Sequence, residues 1–93
     1  MSRLRMAVIG AGHLGRIHAR LLRGRDDVEL IAVVDPVAAA RDAVAAEFQA
    51  ASVADYRSLD GQIDAAVVAT PTLFHHEVAR DLLQRGIHTL VEK

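Results

Sequence analysis

Cysteine is absent from this 93-residue chain, and aromatic residues and prolines are scarce, with two Phe, one Tyr and two Pro. Without cysteine there can be no disulfide, no thiol nucleophile and no thiolate zinc site, and this composition fits a cytoplasmic protein. The apolar runs are shorter than the ~20 residues that cross a bilayer, so we predict no membrane span. The formal net charge of −1 lacks the basic excess of nucleic-acid-binding proteins. Neither nucleic acid nor membrane is therefore an expected partner.

The most informative segment that is present is a glycine-rich turn directly after an apolar run. Gly10, Gly12 and Gly15 form the pattern G-x-G-x-x-G, and a stretch with helical spacing follows. Between a strand and a helix, this pattern is typical of a site for a dinucleotide pyrophosphate. Gly10 would allow the sharp turn, Gly12 would let the backbone approach the phosphates, and Gly15 would let the helix lie close to the strand.

The helix that follows the glycine turn is predicted to begin near His13. Its first turn would direct unpaired backbone N–H groups and the positive end of the helix dipole towards a bound anion. His13 and Leu14 lie between the second and third glycines, so we expect both to contribute to cofactor binding. For His13 the backbone N–H is the expected contact, rather than the imidazole.

An acidic residue, Asp35, closes the second apolar run, twenty positions after Gly15. A carboxylate there accepts hydrogen bonds from the adenosine ribose hydroxyls and repels a 2′-phosphate, so it favours NAD over NADP. The next residue is Pro36 instead of an arginine that could hold the extra phosphate. Alternatively, Asp35 caps a helix that starts at Pro36. Both roles can hold at once, because the carboxylate has two oxygens.

Apolar periodicity predicts strands that alternate with helices. The predicted strands are Met6–Gly10, Glu29–Val34, Ala51–Val53, Ile63–Ala69 and Ile87–Val91. The predicted helices are Leu14–Arg23, Pro36–Phe48 and Phe74–Arg85, the last with Gly86 as C-cap, and a helical turn covers Arg57–Leu59. This alternation predicts right-handed βαβ units in one α/β domain over residues 1–93, a doubly wound parallel sheet of order 3-2-1-4-5. Since no substrate-binding domain follows, we expect the N-terminal part of a longer enzyme.

Two further motifs make the pattern more specific: T-P-T-L-F-H at residues 70–75 and E-K at residues 92–93. Together with the glycine turn and the acid, they resemble the N-terminal Rossmann domain of the Gfo/Idh/MocA family, the relatives of glucose–fructose oxidoreductase and inositol 2-dehydrogenase. That family has T-P-x-x-x-H after the fourth strand and E-K-P after the fifth, and here the last motif stops before its proline. Residues 12–20, G-H-L-G-R-I-H-A-R, are similar to members that act on UDP-N-acetylglucosamine.

The resemblance implies roles for the residues of these two motifs. Thr70, Pro71 and His75 would line the path of the cofactor, and Glu92 would bind the nicotinamide ribose. Lys93 would be the catalytic residue, beside the nicotinamide and the reacting hydroxyl, where its ammonium can donate to the substrate oxygen. The partner acid or base, which the family carries in its second domain, has no counterpart in this sequence.

The adjacent pair His75-His76 could suggest a metal site. Neighbouring residues at a helix start diverge by about 100°, and no residue at i+4 completes a ligand set. We therefore predict no metal.

Three function classes fit the glycine turn. The first is an NAD-dependent oxidoreductase that moves hydride between nicotinamide and a hydroxyl of a sugar, nucleotide sugar or cyclitol, with the substrate held by a C-terminal domain and the full-length protein a homo-oligomer. The second is a non-catalytic dinucleotide-binding or redox-sensing module, which would lack a downstream D-x-x-x-H-like pair. The third, an S-adenosylmethionine methyltransferase, usually shows D/E-x-G-x-G-x-G and no Glu-Lys after the fifth strand, and we rank it last.

Overall fold

The computed structural model describes residues 3–70 and 72–91, without the side chains of residues 72–75. Strands and helices alternate along this part of the chain. The strands are β1 Leu4–Ile9, β2 Val28–Val34, β3 Ala51–Val53, β4 Ala65–Val68 and β5 His88–Val91. The helices are α1 His13–Arg23, α2 Ala38–Phe48 and α3 Thr72–Gln84, and a 3₁₀ turn covers Tyr56–Leu59. Each predicted element is present, and its ends differ from the prediction by at most two residues.

Within the described residues the strands form one parallel sheet of order β3-β2-β1-β4-β5, which confirms the predicted fold class. Val8 of the central strand pairs with Val33 on one side and with Val67 on the other. These strands are nearly continuous apolar runs because both faces of the sheet are covered. The strand order reverses between β1 and β4, because β2 and β3 lie on one side of β1 while β4 and β5 lie on the other. A crevice is expected at this point, outside the carboxyl ends of the strands.

Two hydrophobic cores lie on opposite faces of the sheet. Alternate residues of β1 divide between them, since Ala7 and Ile9 belong to one core and Val8 to the other. On the first face the sheet packs against Leu82 of α3 and Leu59 of the 3₁₀ turn. The second core includes residues of α1 and α2, namely Ala19, Val44 and Ala45. No helix among the described residues is long and apolar enough to cross a bilayer.

The end of α3 shows why Gly86 follows it. The chain leaves the helix with Gly86 at φ +78°, a conformation that favours glycine. The Gly86 N–H donates to the carbonyl of Leu83 at 3.1 Å, and the Ile87 N–H donates to the carbonyl of Leu82 at 3.0 Å. This pair of bonds is a Schellman motif, which satisfies the last carbonyls of the helix. Gly86 thus ends the helix as predicted, and β5 begins two residues later at His88.

The start of α2 differs from the prediction. We predicted a helix from Pro36, with capping by Asp35 as an alternative role for that residue, but α2 begins at Ala38 and its N-cap residue is Val37. Val37 has an extended backbone, with φ −88° and ψ 111°, and Asp35 Oδ1 accepts its N–H at 2.8 Å in an Asx turn. Pro36 is therefore part of the turn between β2 and α2, and Asp35 stabilises that turn instead of capping a helix at Pro36.

Candidate dinucleotide site

A cavity of about 750 Å³ opens at the carboxyl ends of β1, β2 and β4. Its position is the crevice where the strand order reverses, which is the usual place for a ligand in an open α/β sheet. Four segments, which follow β1, β2, β3 and β4, supply most of its wall, and α3 adds one residue. The lining residues are Ile9, Gly10, Gly12, His13, Leu14, Val34, Asp35, Pro36, Val37, Ala54, Asp55, Tyr56, Arg57, Ala69, Thr70 and Val78.

Gly10 makes the sharp turn out of β1. Its φ is +111°, which L side chains rarely adopt. A Cβ at this position would also lie 2.6 Å from the carbonyl oxygen of Ala69, at the end of β4. The Gly10 N–H donates to the carbonyl of Val34 at 2.7 Å, so the turn stays tied to β2. Both the conformation and the space at this turn require glycine.

Gly15 lies in the first turn of α1 and is buried. A Cβ at Gly15 would overlap the carbonyl oxygen of Gly10 and would approach Val8 Cγ1 to 3.6 Å. The absence of a side chain therefore lets α1 lie directly against the glycine turn and β1. This geometry matches the role that the sequence predicts for the third glycine.

Gly12 differs from the other two glycines because its surroundings are open. It is exposed, its φ is an ordinary −77°, and no heavy atom of the described residues lies within 4 Å of a Cβ built there. As the N-cap of α1 it offers no side chain to the first N–H groups of the helix, which have no acceptor within the helix. His13 and Leu14 of that first turn also line the cavity. The open space beside Gly12 and the first turn of α1, which we call the phosphate cradle, can hold an anion. A side chain at residue 12 would occupy this space.

Asp35 lies on the cavity wall beside the glycine turn. Its Oδ2 accepts the N–H of Ala11 at 2.8 Å, and its Oδ1 accepts the N–H of Val37 at the same distance. Each carboxylate oxygen has a second lone pair, so both can still accept a ligand hydroxyl. The Asp35 carbonyl accepts from Arg41 Nη1 at 3.1 Å. Asp35, which is predicted to bind the ribose, therefore lies beside the glycine turn, which is predicted to bind the phosphates.

The segment after β3 forms a wall that the sequence analysis did not assign to the site. Asp55 accepts the backbone N–H of Arg57 at 2.9 Å and its Nε at 3.1 Å, and these bonds, led by the backbone one, lower the pKa of Asp55. The Arg57 guanidinium lies 5.8 Å from the centre of the Tyr56 ring. The signal that could have found this wall is topological. Since β3 runs parallel to β2, the residues after it must reach the same edge as Asp35.

Tyr56 links this wall to α3. Its hydroxyl donates to Asp81 Oδ2 at 2.6 Å, and Arg85 Nε donates to Asp81 Oδ1 at 3.1 Å. Burial, followed by the bond to the Asp81 carboxylate, raises the pKa of Tyr56 to about 12. Val78, one turn before Asp81, lines the cavity on the same side. The hydrogen bond from Tyr56 thus fixes two walls of the cavity relative to each other.

The motif residues after β4 and β5 are partly described. Thr70 lines the cavity directly after β4. Pro71, Glu92 and Lys93 lie outside the described residues, as does the side chain of His75. Val91 pairs with Val68, so β5 ends at the same edge of the sheet as β4. In the part of the chain that the structure describes, no group of three His, Asp or Glu could hold a metal ion.

Comparison with known proteins gives consistent matches. The MocA rhizopine catabolism protein of Rhizobium meliloti is 34% identical over 94 residues, which cover 100% of this chain and 30% of that protein. UDP-N-acetylglucosamine 3-dehydrogenase of Acidithiobacillus ferrooxidans is 38% identical over 93 residues, 100% of this chain and 29% of that protein. This chain thus spans about 30% of the length of these relatives.

Solved structures agree with the sequence matches. The structure of the Acidithiobacillus ferrooxidans enzyme, GnnA, superposes with a TM-score of 0.91 and covers 100% of this chain and 30% of that one. GenD2 from gentamicin A biosynthesis, solved with NAD, superposes with a TM-score of 0.91 at 34% identity, over 100% of this chain and 27% of that one. The family model described as an oxidoreductase family with an NAD-binding Rossmann fold matches residues 4–93. The chain therefore belongs to the Gfo/Idh/MocA family and forms its NAD-binding Rossmann fold.

Proposed function

We propose that this chain binds NAD in the cavity at the carboxyl ends of β1, β2 and β4. The observation that carries the proposal is the contrast among the three glycines. Two of them, Gly10 and Gly15, have no room for a side chain, whereas Gly12 faces open space at the mouth of the cavity. A turn that was only tight would not need a bare backbone at Gly12. A turn that cradles a pyrophosphate does need one.

The pyrophosphate would lie against Gly12 and the first turn of α1. There it would accept hydrogen bonds from the N–H groups of His13 and Leu14, and the positive end of the helix dipole would favour its charge. Thr70, which follows β4 and lines the same cavity, would line the path towards the nicotinamide half. When bound, NAD supplies the acceptor or donor of hydride, and the protein's part is to orient it.

The adenosine would extend from the pyrophosphate towards β2 and β3. Asp35 would accept hydrogen bonds from the ribose hydroxyls, and its charge would repel a 2′-phosphate, so NAD should bind more tightly than NADP. Val37 and Ala54 offer exposed apolar surface at this end of the cavity, and Arg57 offers a guanidinium that can stack on a base. These groups suit a flat, uncharged purine.

For the full-length protein we propose an oxidoreductase that acts on a hydroxyl of a sugar, nucleotide sugar or cyclitol, with residues 1–93 as its nucleotide-binding domain. Relatives named as UDP-N-acetylglucosamine 3-dehydrogenase and inositol 2-dehydrogenase support this substrate class. Lys93 would assist the hydroxyl proton, and Pro71, His75 and Glu92 would contact the cofactor. The support for these four roles is the family motif. We further propose a cytoplasmic homo-oligomer whose substrate lies in a C-terminal domain.

Calorimetric titration of this chain with NADH and with NADPH tests the binding proposal. We expect NADH to bind more tightly, and Gly12→Val to abolish binding while the fold is retained. The matched control is Gly24→Val at the other end of α1, where φ is −84° and a Cβ has contacts of 3.7 Å. That variant should bind NADH like the parent. Equal NADH binding by parent and Gly12→Val would show that this turn does not hold the cofactor.

The enzymatic proposal needs the longer protein. In it, Lys93→Ala should lower kcat by about 10²–10⁴-fold, the usual contribution of a positioned acid or base, and leave NADH affinity within a few-fold. A loss of cofactor affinity with unchanged chemistry would reassign Lys93 to cofactor positioning. A full-length protein that binds NADH but turns over no polyol or sugar would favour the redox-sensing module instead.

A further inference from the structure

We infer that Asp35 is also a positioning residue, which holds the glycine turn in the conformation that receives the pyrophosphate. This role is separate from a ribose contact, although its functional meaning rests on the proposed NAD site. The bond that carries it joins Asp35 Oδ2 to the backbone N–H of Ala11 at 2.8 Å, across 24 residues of sequence. Ala11 lies between the first two glycines and is buried, with 6% of its surface exposed.

The peptide between Gly10 and Ala11 is held on both sides. Its N–H, on Ala11, donates to Asp35. Its carbonyl, on Gly10, lies where a Cβ of Gly15 would be, so α1 packs directly against it. Asp35 on one side and the bare Gly15 on the other thus fix the plane of this peptide. The next residue is Gly12, so the same plane sets the direction in which the chain enters the proposed phosphate cradle.

Asp35 can serve as an anchor because its own position is fixed by each of its polar groups. Its second carboxylate oxygen accepts the N–H of Val37, and its backbone N–H donates to the carbonyl of Val53 at 3.1 Å. Its carbonyl accepts from Arg41. The backbone of Asp35 is therefore attached to β3 and to α2, and its carboxylate is attached to the β2–α2 turn. Through Ala11 it joins all of these to the β1–α1 turn.

This arrangement requires a carboxylate and not merely a polar side chain. Both partners of the side chain are N–H donors, so both side-chain oxygens must accept. In Asp35→Asn the amide NH₂ would face either Ala11 or Val37, and one of the two bonds would be lost. In Asp35→Ser the hydroxyl can still accept the N–H two residues on, as Ser does in turns, but it is too short to reach Ala11.

Hydrogen exchange of the Ala11 amide, measured by NMR without any nucleotide, tests the anchor itself. We expect this amide to be protected in the parent chain and to exchange at least about tenfold faster in Asp35→Ser, whose hydroxyl cannot reach Ala11. The matched control is Asp55→Asn, because Asp55 lines the same cavity and also accepts a backbone N–H two residues on. The control should leave Ala11 exchange unchanged. Unchanged Ala11 exchange in Asp35→Ser would overturn the inference.

A nucleotide titration separates positioning from ribose contact. The probe is an NAD analogue whose adenosine ribose lacks the 2′ and 3′ hydroxyls, so that Asp35 has no ribose hydroxyl to bind. If Asp35 positions the turn, Asp35→Ser should weaken this analogue by about five- to tenfold, the usual contribution of one hydrogen bond. If Asp35 acts through the ribose alone, parent and variant should bind the analogue equally, which would contradict the inference. If the parent binds no nucleotide, the proposed function fails, and the exchange experiment still decides on the anchor.

Discussion

The two ends of the sheet differ: side-chain bonds join the strands at the amino ends, whereas a cavity opens at the carboxyl ends. At the amino ends, side chains cross from strand to strand. Arg5 of β1 binds Asp64 through its Nη2 at 3.0 Å and through its backbone N–H at 2.9 Å, and it reaches the carbonyl of Gly61 at 3.3 Å. Arg3 donates to the carbonyl of Val28, where β2 begins, at 2.6 Å. At the carboxyl ends a cavity opens instead, and Gly10, Gly12 and the first residues of α1 form part of its wall.

The difference indicates that contacts which stabilise the fold and groups which can bind a ligand lie at opposite ends of the sheet. Where side chains close the edge, the ion pair fixes the starts of β1 and β4, and the hydrogen bond from Arg5 lowers the pKa of Asp64. At the start of α1, the N-cap residue Gly12 has no side chain, so the first N–H groups of the helix are available to a ligand. Two side chains also join elements at the open end: the Asp35 carboxylate joins the turns that follow β1 and β2, and the Tyr56 hydroxyl joins the segment after β3 to α3.

The largest expected effects come from the glycines, which distinguish space that the fold needs from space that a ligand needs. Gly15→Ala places a Cβ on the Gly10 carbonyl, so we expect it to lower the free energy of unfolding by about 3 kcal/mol or more. Gly12→Ala places the same methyl group in open space and should change that free energy by less than about 0.5 kcal/mol, while weakening NADH binding. Urea denaturation and calorimetry measure the two quantities. Equal destabilisation by both variants would contradict the distinction.

A smaller effect is expected where the two cavity walls are joined by Tyr56. Tyr56→Phe removes the hydrogen bond to Asp81 and should cost about 1 kcal/mol of stability. The folded-state pKa of Tyr56, about 12, lies above its ordinary value of about 10. The contribution of the neutral hydroxyl is therefore fully present below pH 10 and is lost as the pH rises towards 12. Thermal melts across this range should show a fall in the parent that is reduced in Tyr56→Phe. An equal fall in both would assign the alkaline loss to other groups.

The smallest effect is expected at the closed end. Asp64→Asn should lower the melting temperature slightly, because the ion pair with Arg5 is partly exposed and salt screens it. The pKa of Asp64 is below its ordinary value, so its contribution is present above about pH 4 and is lost as the pH falls further. Acid melts of parent and variant should converge at low pH. NADH affinity should not change, and a loss of affinity in Asp64→Asn would argue against the separation of the two ends.

The sequence predicts the local parts of this site and misses the parts that depend on tertiary proximity. The glycine pattern and Asp35 could be recognised because the turn, the helix start and the acid follow each other at fixed spacing. The bond between Asp35 and Ala11 could not, since no spacing rule brings a side chain onto one particular N–H. The Tyr56–Asp81 bond joins residues 25 positions apart and depends on how the segment after β3 meets α3.

The start of α2 was predicted two residues too early. Asp followed by Pro is a good beginning for a helix, and local preference alone favours Pro36 as its first residue. In the structure the Asp35 carboxylate accepts the N–H groups of both Ala11 and Val37, and the second of these bonds forms an Asx turn before the helix. The extended backbone of Val37 puts the first helical residue at Ala38, two positions after Pro36.

The most direct test of the proposed NAD site is the chemical-shift change of each backbone amide when NADH is added to the ¹⁵N-labelled chain. The changes should concentrate at the carboxyl ends of the strands, in the amides of residues 10–15, 35, 37, 54–57 and 70. The amide chemical shifts of Arg5, Asp27 and Asp64, at the amino ends, should stay unchanged. Changes centred on the amino ends, or no changes with NADH in the millimolar range, would contradict the claim that the open end of this sheet is an NAD site.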